Sequence, residues 1–295
     1  MPGIARADDA LGSEPRTSGA LSGAWRGVLA AAVVAYVVTG VPLFVAPSWA
    51  AERFAWNVSP FVAMTAGAWC LGTAVFAAWA VLDRRWKAIR PCVLYVLAFG
   101  ATQLAVALYE EELLRTDVAL SWPYLVALGL SVVGGALALA DGWRHFGPDE
   151  RPGLTLLPWM RRVDVFFVAF VWFLALVAFV APERATNGSI FPEPLSLFSL
   201  RAFGVFYLSL GVAFAGLVRD RRADAVVVGM WCGLALVFPI LVATAVYADS
   251  FDLAEHPLQL AYPIAYLAAL GGATVIILWA RRVEGPAPAP TTAVA

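Results

Sequence analysis

The sequence predicts an all-α, polytopic integral membrane protein whose eight transmembrane helices form two tandem, parallel four-helix repeats. Three observations carry this prediction. The 295 residues are 61% apolar and 14% charged, with a mean hydropathy of +0.78, well outside the range of soluble globular domains. The apolar residues fall into eight segments, each long enough to cross about 30 Å of hydrocarbon at about 1.5 Å per residue. A landmark string also occurs twice. Ala46-Pro47, a loop, then Ser59-Pro60 and Gly67-Ala68-Trp69 are echoed by Ala181-Pro182, a loop two residues longer, then Leu195-Ser196 and Gly204-Val205-Phe206.

In chain order, residues 1–22 read as a disordered polar tail, 23–147 as the first four-helix repeat, 148–284 as the second, and 285–295 as a disordered Pro/Ala tail. The spans are expected at about 27–46, 60–82, 90–110, 120–142, 163–181, 197–218, 223–247 and 258–280. Backbone polar groups in hydrocarbon must be satisfied within their own segment, so these are helices. Span 27–46 has the look of a secretory leader, but its counterpart at 163–181 is internal, so it too is read as a spanning helix. Spans 60–82 and 197–218 have the clearest starts, with Ser59 and Ser196 as N-caps and Pro60 at a first helical position where no N–H is needed. Each runs to a matching stop, Asp83-Arg84-Arg85 or Asp220-Arg221-Arg222. Later landmarks pair Tyr109 with Tyr247 and Trp122-Pro123 with Tyr262-Pro263. Pro239 and Pro263 are expected to kink their helices. Gly229-x-x-x-Gly233, and Gly67, Gly72, Gly134, Gly135, Gly204, Gly211, Gly271 and Gly272, read as sites of close helix approach.

Four helices per repeat is an even number, so both copies enter the membrane from one side and are related by a pseudo-two-fold axis along its normal. Charge sets the orientation. Sixteen of the 20 Lys and Arg residues fall on the side of the two termini, leaving Arg53, Arg115, Arg184 and Arg201 for the other, so both termini are expected in the cytoplasm. The outer loops are acidic, carrying Glu52, Glu110, Glu111, Glu112, Asp117, Glu183, Glu193, Asp249, Asp252 and Glu255. Most tryptophans, among them Trp25, Trp56 and Trp86, fall near span ends, where indoles favour the headgroup level. Nineteen arginines against the single Lys87, with abundant Ala, Val and Leu, suggest a GC-rich bacterial genome and hence the bacterial inner (plasma) membrane.

A net charge of −1 argues against a nucleic-acid partner. Cys70, Cys92 and Cys232 have no metal-like spacing and read as small buried hydrophobes. No zinc pair, nucleophile elbow, phosphate loop or dinucleotide fingerprint is present, so no catalytic residue, metal or cofactor is expected. Mid-span polar groups are few: Thr65, Thr73, Thr102, Gln103, Ser131, Ser209, Thr244 and Thr274. That thin set, without an acid, disfavours ion-coupled transport. Asp141 and Asp164 lie among arginines near span ends and are expected to form surface ion pairs.

The residue that departs most from its repeat is Arg201, where the first copy has Met64. A guanidinium at that depth, near the positive end of its own helix, calls for a carboxylate; Glu193, Glu110 and Asp249 are the candidates, and snorkelling to the surface is the alternative. His256 beside Pro257 is a further outer titratable group. The expected site comprises Arg201, Glu193, Gln103, Glu110, Asp249 and His256, and the expected function is binding or transport of a small molecule or lipid between the repeats. The alternatives are a structural or accessory subunit, whose partner beyond the lipid bilayer is a second copy or another membrane protein, and, last, a lipid-acting enzyme.

Overall fold

The computed structural model describes residues 23–143, 157–180, 191, 193–219 and 223–284. Among these the chain's regular elements are all helical, with no strand. Its eight long helices are α1 (Gly23–Val45), α2 (Pro60–Leu82), α3 (Trp86–Tyr109), α4 (Ser121–Trp143), α5 (Pro158–Val180), α6 (Leu197–Arg219), α7 (Ala223–Val246) and α8 (Ala261–Glu284). Each is long and apolar enough to cross a membrane. Short helical turns at Pro47–Ala51, Glu111–Leu113, Ala248–Ser250 and Pro257–Leu260 decorate the connections. Both tails and the Asp220-Arg221-Arg222 stop lie outside the described residues.

The spans match the sequence expectation to a few residues, with α3 and α5 beginning four and five residues earlier. Pro263 is the third residue of α8, where no intrahelical N–H is lost, and so has no reason to kink it. Pro42, Pro91 and Pro239 are the prolines inside helices.

Helices α1 to α4 close into a ring, α1 packing on α2 and α4 while α3 packs on α2 and α4. In the second half α5 packs on α6 and α8 on α7. The halves meet through α2 against α7 and α3 against α6, with α3 also touching α7. Centrality follows from this pairing: 83% of the α2 span and 78% of the α6 span are buried, against 28% for each of α5 and α8. The described connections and helix ends gather at two ends of the bundle. An acidic end gathers Glu110, Glu111, Glu112, Asp249 and Asp252, and a basic end gathers Arg84, Arg85, Lys87, Arg90, Arg281 and Arg282.

Small residues set the closest approaches. A Cβ on Gly67 of α2 would stand 2.7 Å from the Phe44 backbone nitrogen and 3.0 Å from the Gly40 carbonyl of α1. At Gly204 of α6 the nearest atoms are side chains of α5, Ala178 Cβ at 2.9 Å and Phe179 Cε2 at 3.1 Å. The Phe44 nitrogen is backbone and Ala178 Cβ is fixed to its own backbone, so neither yields without a helix shift. Gly67→Ala and Gly204→Ala are therefore each expected to cost about 1–3 kcal/mol, read by thermal unfolding in one detergent; a neutral Gly67→Ala would mean that α1 and α2 are not in backbone contact. Other glycines depart from expectation. Gly271 and Gly272 face open space, Gly233 meets Phe214 at 3.8 Å, and Gly229 meets the flexible end of Leu217 at 3.1 Å and Phe214 at 3.8 Å.

Several tryptophans expected at headgroup level are instead interior. Trp25 is 1% exposed and donates to Asp141 Oδ2 at 3.1 Å, while Trp86 fills the space beside Gly142. Trp56 is 1% exposed because the loop after Pro47–Ala51 folds inward, stacking Phe54 and Trp56 beneath the N-terminus of α6. The three cysteines are buried, and Cys92 of α3 and Cys232 of α7 bring their sulfurs to 3.8 Å across the halves.

Candidate functional site between the halves

At the acidic end the N-termini of α2 and α6 are tied by crossed contacts. Ser59 caps α2, accepting the Val62 N–H at 3.1 Å, and Ser196 caps α6, accepting the Ser199 N–H at 3.2 Å. From three residues before its own cap, each loop reaches the opposite helix. Trp56 Nε1 donates to Ser199 Oγ at 3.1 Å, and Ser59 Oγ donates to the Glu193 carboxylate.

Burial pushes the Glu193 carboxyl above the usual carboxylate range, and the Ser59 hydrogen bond offsets part of that rise. Tyr247 is likewise raised, first by burial and further by the nearby Glu193 charge, with a hydrogen bond to Ser48 opposing. A carboxyl raised in the folded state binds its proton more tightly there than when unfolded, so this group favours folding at low pH. The benefit is lost as pH rises through the raised value. Glu193→Gln is expected to remove that pH dependence and to make the protein more stable than wild type at neutral pH, as read from unfolding midpoints across pH. A wild-type curve flat across that interval would contradict the assignment.

Arg201 finds its partner in Glu110. The guanidinium of α6 pairs with the carboxylate at the C-terminal cap of α3, with side-chain exposures of 23% and 11%, and lies over the Tyr109 ring at 4.9 Å. Of the three candidate carboxylates, Glu193 is engaged with Ser59. Asp249 stands exposed on the turn after α7. His256 is half-buried, and its backbone N–H donates to the Asp252 carbonyl at 2.8 Å. Neither the Asp249 nor the His256 side chain forms a hydrogen bond or ion pair among the described residues. No three His, Cys, Asp or Glu side chains come together there either.

Below the ion pair the seam is aromatic. Trp69 of α2 stacks on Phe206 of α6 at 4.8 Å and 14°, and meets Phe203 edge-on at 4.5 Å. Gln103, 1% exposed, donates to the Ala202 carbonyl of α6 at 2.9 Å and accepts from the Tyr124 hydroxyl at 3.3 Å. Its amide ties the halves together with both ends occupied. On the other side of Trp69 the polar groups are not all met. Tyr207 and Tyr266 share a hydrogen bond at 3.1 Å. Thr65 Oγ1, Trp69 Nε1 and the Tyr262 hydroxyl are buried with no hydrogen-bond partner, although the Tyr262 hydroxyl lies next to those of Thr65 and Tyr266.

Thus Arg201 and Glu110 come together, Glu193 sits on Ser59, Gln103 is sealed in the seam, and Asp249 and His256 stand apart. The sequence reading passed over Thr65, Trp69, Tyr207, Tyr262 and Tyr266. Thr65 with Trp69 and Tyr262 with Tyr266 are each four residues apart, which puts two hydrogen-bonding groups on one helix face; that spacing was the available signal. It also misjudged Asp164, which is 9% exposed in α5 with both carboxylate oxygens unpartnered among the described residues. Asp141 binds the interior indole of Trp25.

With this geometry in hand, comparison with protein-family models, curated proteins and solved structures finds no match to the chain.

Proposed function

We propose that this is a multi-pass membrane protein of the bacterial plasma membrane, built by tandem duplication, that binds an uncharged small molecule or lipid between its two halves. One observation carries the binding reading. Trp69 Nε1 is buried with no hydrogen-bond partner, and the buried Thr65 and Tyr262 hydroxyls have none but each other and the adjacent Tyr266, which is hydrogen-bonded to Tyr207. Leaving a buried polar group unmet costs roughly 1–3 kcal/mol, and an unmet indole N–H on the same face of α2 as a hydroxyl suits a ligand with a carbonyl or hydroxyl group. All five side chains are neutral, and aromatic rings wall the place, so the ligand is flat, largely apolar and uncharged.

The duplication is supported residue by residue. Ser59, Gly67 and Trp69 recur 137 residues later as Ser196, Gly204 and Phe206, and Gly67 meets Gly40 and Phe44 just as Gly204 meets Ala175 and Phe179. Phe54 lies against Tyr124 and its counterpart Phe191 against Tyr262, a tyrosine two residues out of step with the Trp122 to Tyr262 pairing of the sequence landmarks. Trp69 stacking on its own counterpart Phe206 is what a two-fold axis between α2 and α6 requires. The orientation, termini inward, rests on the basic and acidic ends of the bundle. A cysteine placed at the exposed Glu111 should react with impermeant maleimide from outside the cell; reaction from the cytoplasmic side alone would reverse the topology.

Binding is tested with the double variant Thr65→Val/Tyr262→Phe, which removes both hydroxyls. Wild-type protein in detergent should gain thermal stability from a lipid extract of its own membrane. The variant should start more stable and not respond to the extract. If extract shifts both alike, or neither, the accessory-subunit reading takes over, which the filled seam at Gln103 and Trp69 already favours. A lipid-acting enzyme is the weakest reading, because Glu110 is committed to Arg201 and Glu193 to Ser59.

A further inference from the structure

Two thiols that share no sequence motif meet where the halves join. Cys92 of α3 and Cys232 of α7 are 140 residues apart in the chain, one in each half, and their Sγ atoms stand 3.8 Å apart. We propose that these two cysteines form a redox site, at which a hydroperoxide dissolved in the membrane joins them as a disulfide that locks α3 to α7.

Neither thiol is required by the repeat. Counting from the Tyr109 and Tyr247 landmarks sets Met230 against Cys92 and Leu94 against Cys232; a register one residue shorter gives Gly229 and Tyr95 instead. Each cysteine is thus present in one copy only. A thiol that merely fills a gap needs no second sulfur beside it, yet two of the chain's three cysteines are in contact. The geometry suits a bond. A disulfide holds its sulfurs about 2.05 Å apart, so the pair must close by less than about 2 Å. Side-chain rotation and a small shift of two helices already packed on each other supply that. Cys70 of α2, buried against Gly40 of α1, serves as an internal control.

Burial selects the oxidant and sets the lifetime of the product. Both residues are 0% exposed and lie within spanning segments, so charged oxidants and glutathione are kept away. A hydroperoxide is uncharged and dissolves in hydrocarbon. One sulfur takes its terminal hydroxyl as the O–O bond breaks, which releases an alcohol and leaves a sulfenic acid. The second sulfur then displaces that hydroxyl, the S–S bond forms, and the hydroxyl leaves as water with the second thiol's proton. The two thiols lose two electrons, and the hydroperoxide ends as alcohol and water. Exchange in reverse needs a thiolate to reach one of the sulfurs, which the folded surroundings prevent. Because α3 also packs on α6, the bond ties the first half to the second at its centre. The inference rests on the membrane reading above, but neither on the orientation nor on the ligand proposed between the halves.

The test uses the full chain with a protease site inserted between Trp143 and Leu157. Membranes holding it are sedimented, treated with cumene hydroperoxide, alkylated, cleaved and run on a gel without reductant. Cleavage separates Cys70 and Cys92 from Cys232, so one band of full mass reports a link between the halves. Oxidised wild type should give that band, and dithiothreitol in SDS should split it in two. Free thiols should fall from three to that of Cys70 alone. The link should be lost in Cys92→Ala and in Cys232→Ala and kept in Cys70→Ala, each variant being monodisperse in detergent. Millimolar glutathione should leave the link intact in folded protein and break it after denaturation. Two bands from oxidised wild type, thiol loss without a link, a link between separate chains, or one that survives Cys92→Ala would overturn the proposal. Prompt reduction of the folded protein by glutathione would overturn the lock. Failure of the protein to sediment with membranes would count against the membrane reading alone, so the two failures are distinguishable.

Discussion

Replacing Arg201 with methionine, the residue at the corresponding position 64, is expected to lower stability by about 2–3 kcal/mol, and adding Glu110→Tyr is expected to recover most of the loss. The reason lies in how the two halves meet. The C-terminal end of α3 stands against the start of α6, where Glu110 pairs with Arg201. At the other crossing, the C-terminal end of α7 stands against the start of α2. There Tyr247, which the sequence landmarks pair with Tyr109, takes the place that Glu110 has at the first crossing, with the same cap conformation (φ −107°, ψ 32° against φ −103°, ψ 36°), and Tyr247 packs on Phe61. One crossing is ionic and the other apolar and aromatic. Removing the arginine alone leaves a largely buried carboxylate without its cation, which is the costly case. Removing both converts the first crossing to the chemistry of the second. Unfolding midpoints of wild type, both single variants and the double variant form the cycle. A double variant as unstable as the sum of the singles would show that the pair is not coupled and would weaken the duplication reading.

Asp164→Leu is expected to raise stability by about 2–3 kcal/mol. The carboxyl is buried in α5 with neither oxygen hydrogen-bonded among the described residues, and the proposed duplication sets it opposite Leu29 of α1, which is fully buried. The buried faces agree: Trp25, Leu29, Tyr36, Gly40 and Leu43 in α1, against Met160, Asp164, Val171, Ala175 and Ala178 in α5. Leucine therefore restores the apolar side chain that this register carries in α1. Asp164→Asn should gain less, because its amide brings donors that also need partners. A loss of stability in Asp164→Leu would mean that the carboxylate has a partner in the membrane. A gain would show that the aspartate is carried at a cost to folding, and would make it the next residue to test once a ligand is in hand.

The sequence by itself determined the eight helices, with ends good to about five residues, and showed the recurring string on which the proposed duplication rests, because these depend on local chemistry. Hydropathy over some twenty residues, a serine before a proline and a constant spacing between landmarks need no knowledge of neighbours. It also singled out Arg201 and placed Glu110 among its partners, since a charge at that depth must be answered. Which carboxylate answers it was decided by tertiary structure, because Glu110, Glu193 and Asp249 are interchangeable in composition and differ only in where α3, α7 and the loop before α6 bring them. The same holds for the polar groups. Gln103 was read as a binding group and proves to be a fully occupied tie to Ala202 and Tyr124, whereas Thr65, Trp69 and Tyr262, unremarkable one by one, become a cluster once α2 and α8 face each other. Hydrogen-bond satisfaction is a property of pairs of distant residues, and no window along the chain contains both members.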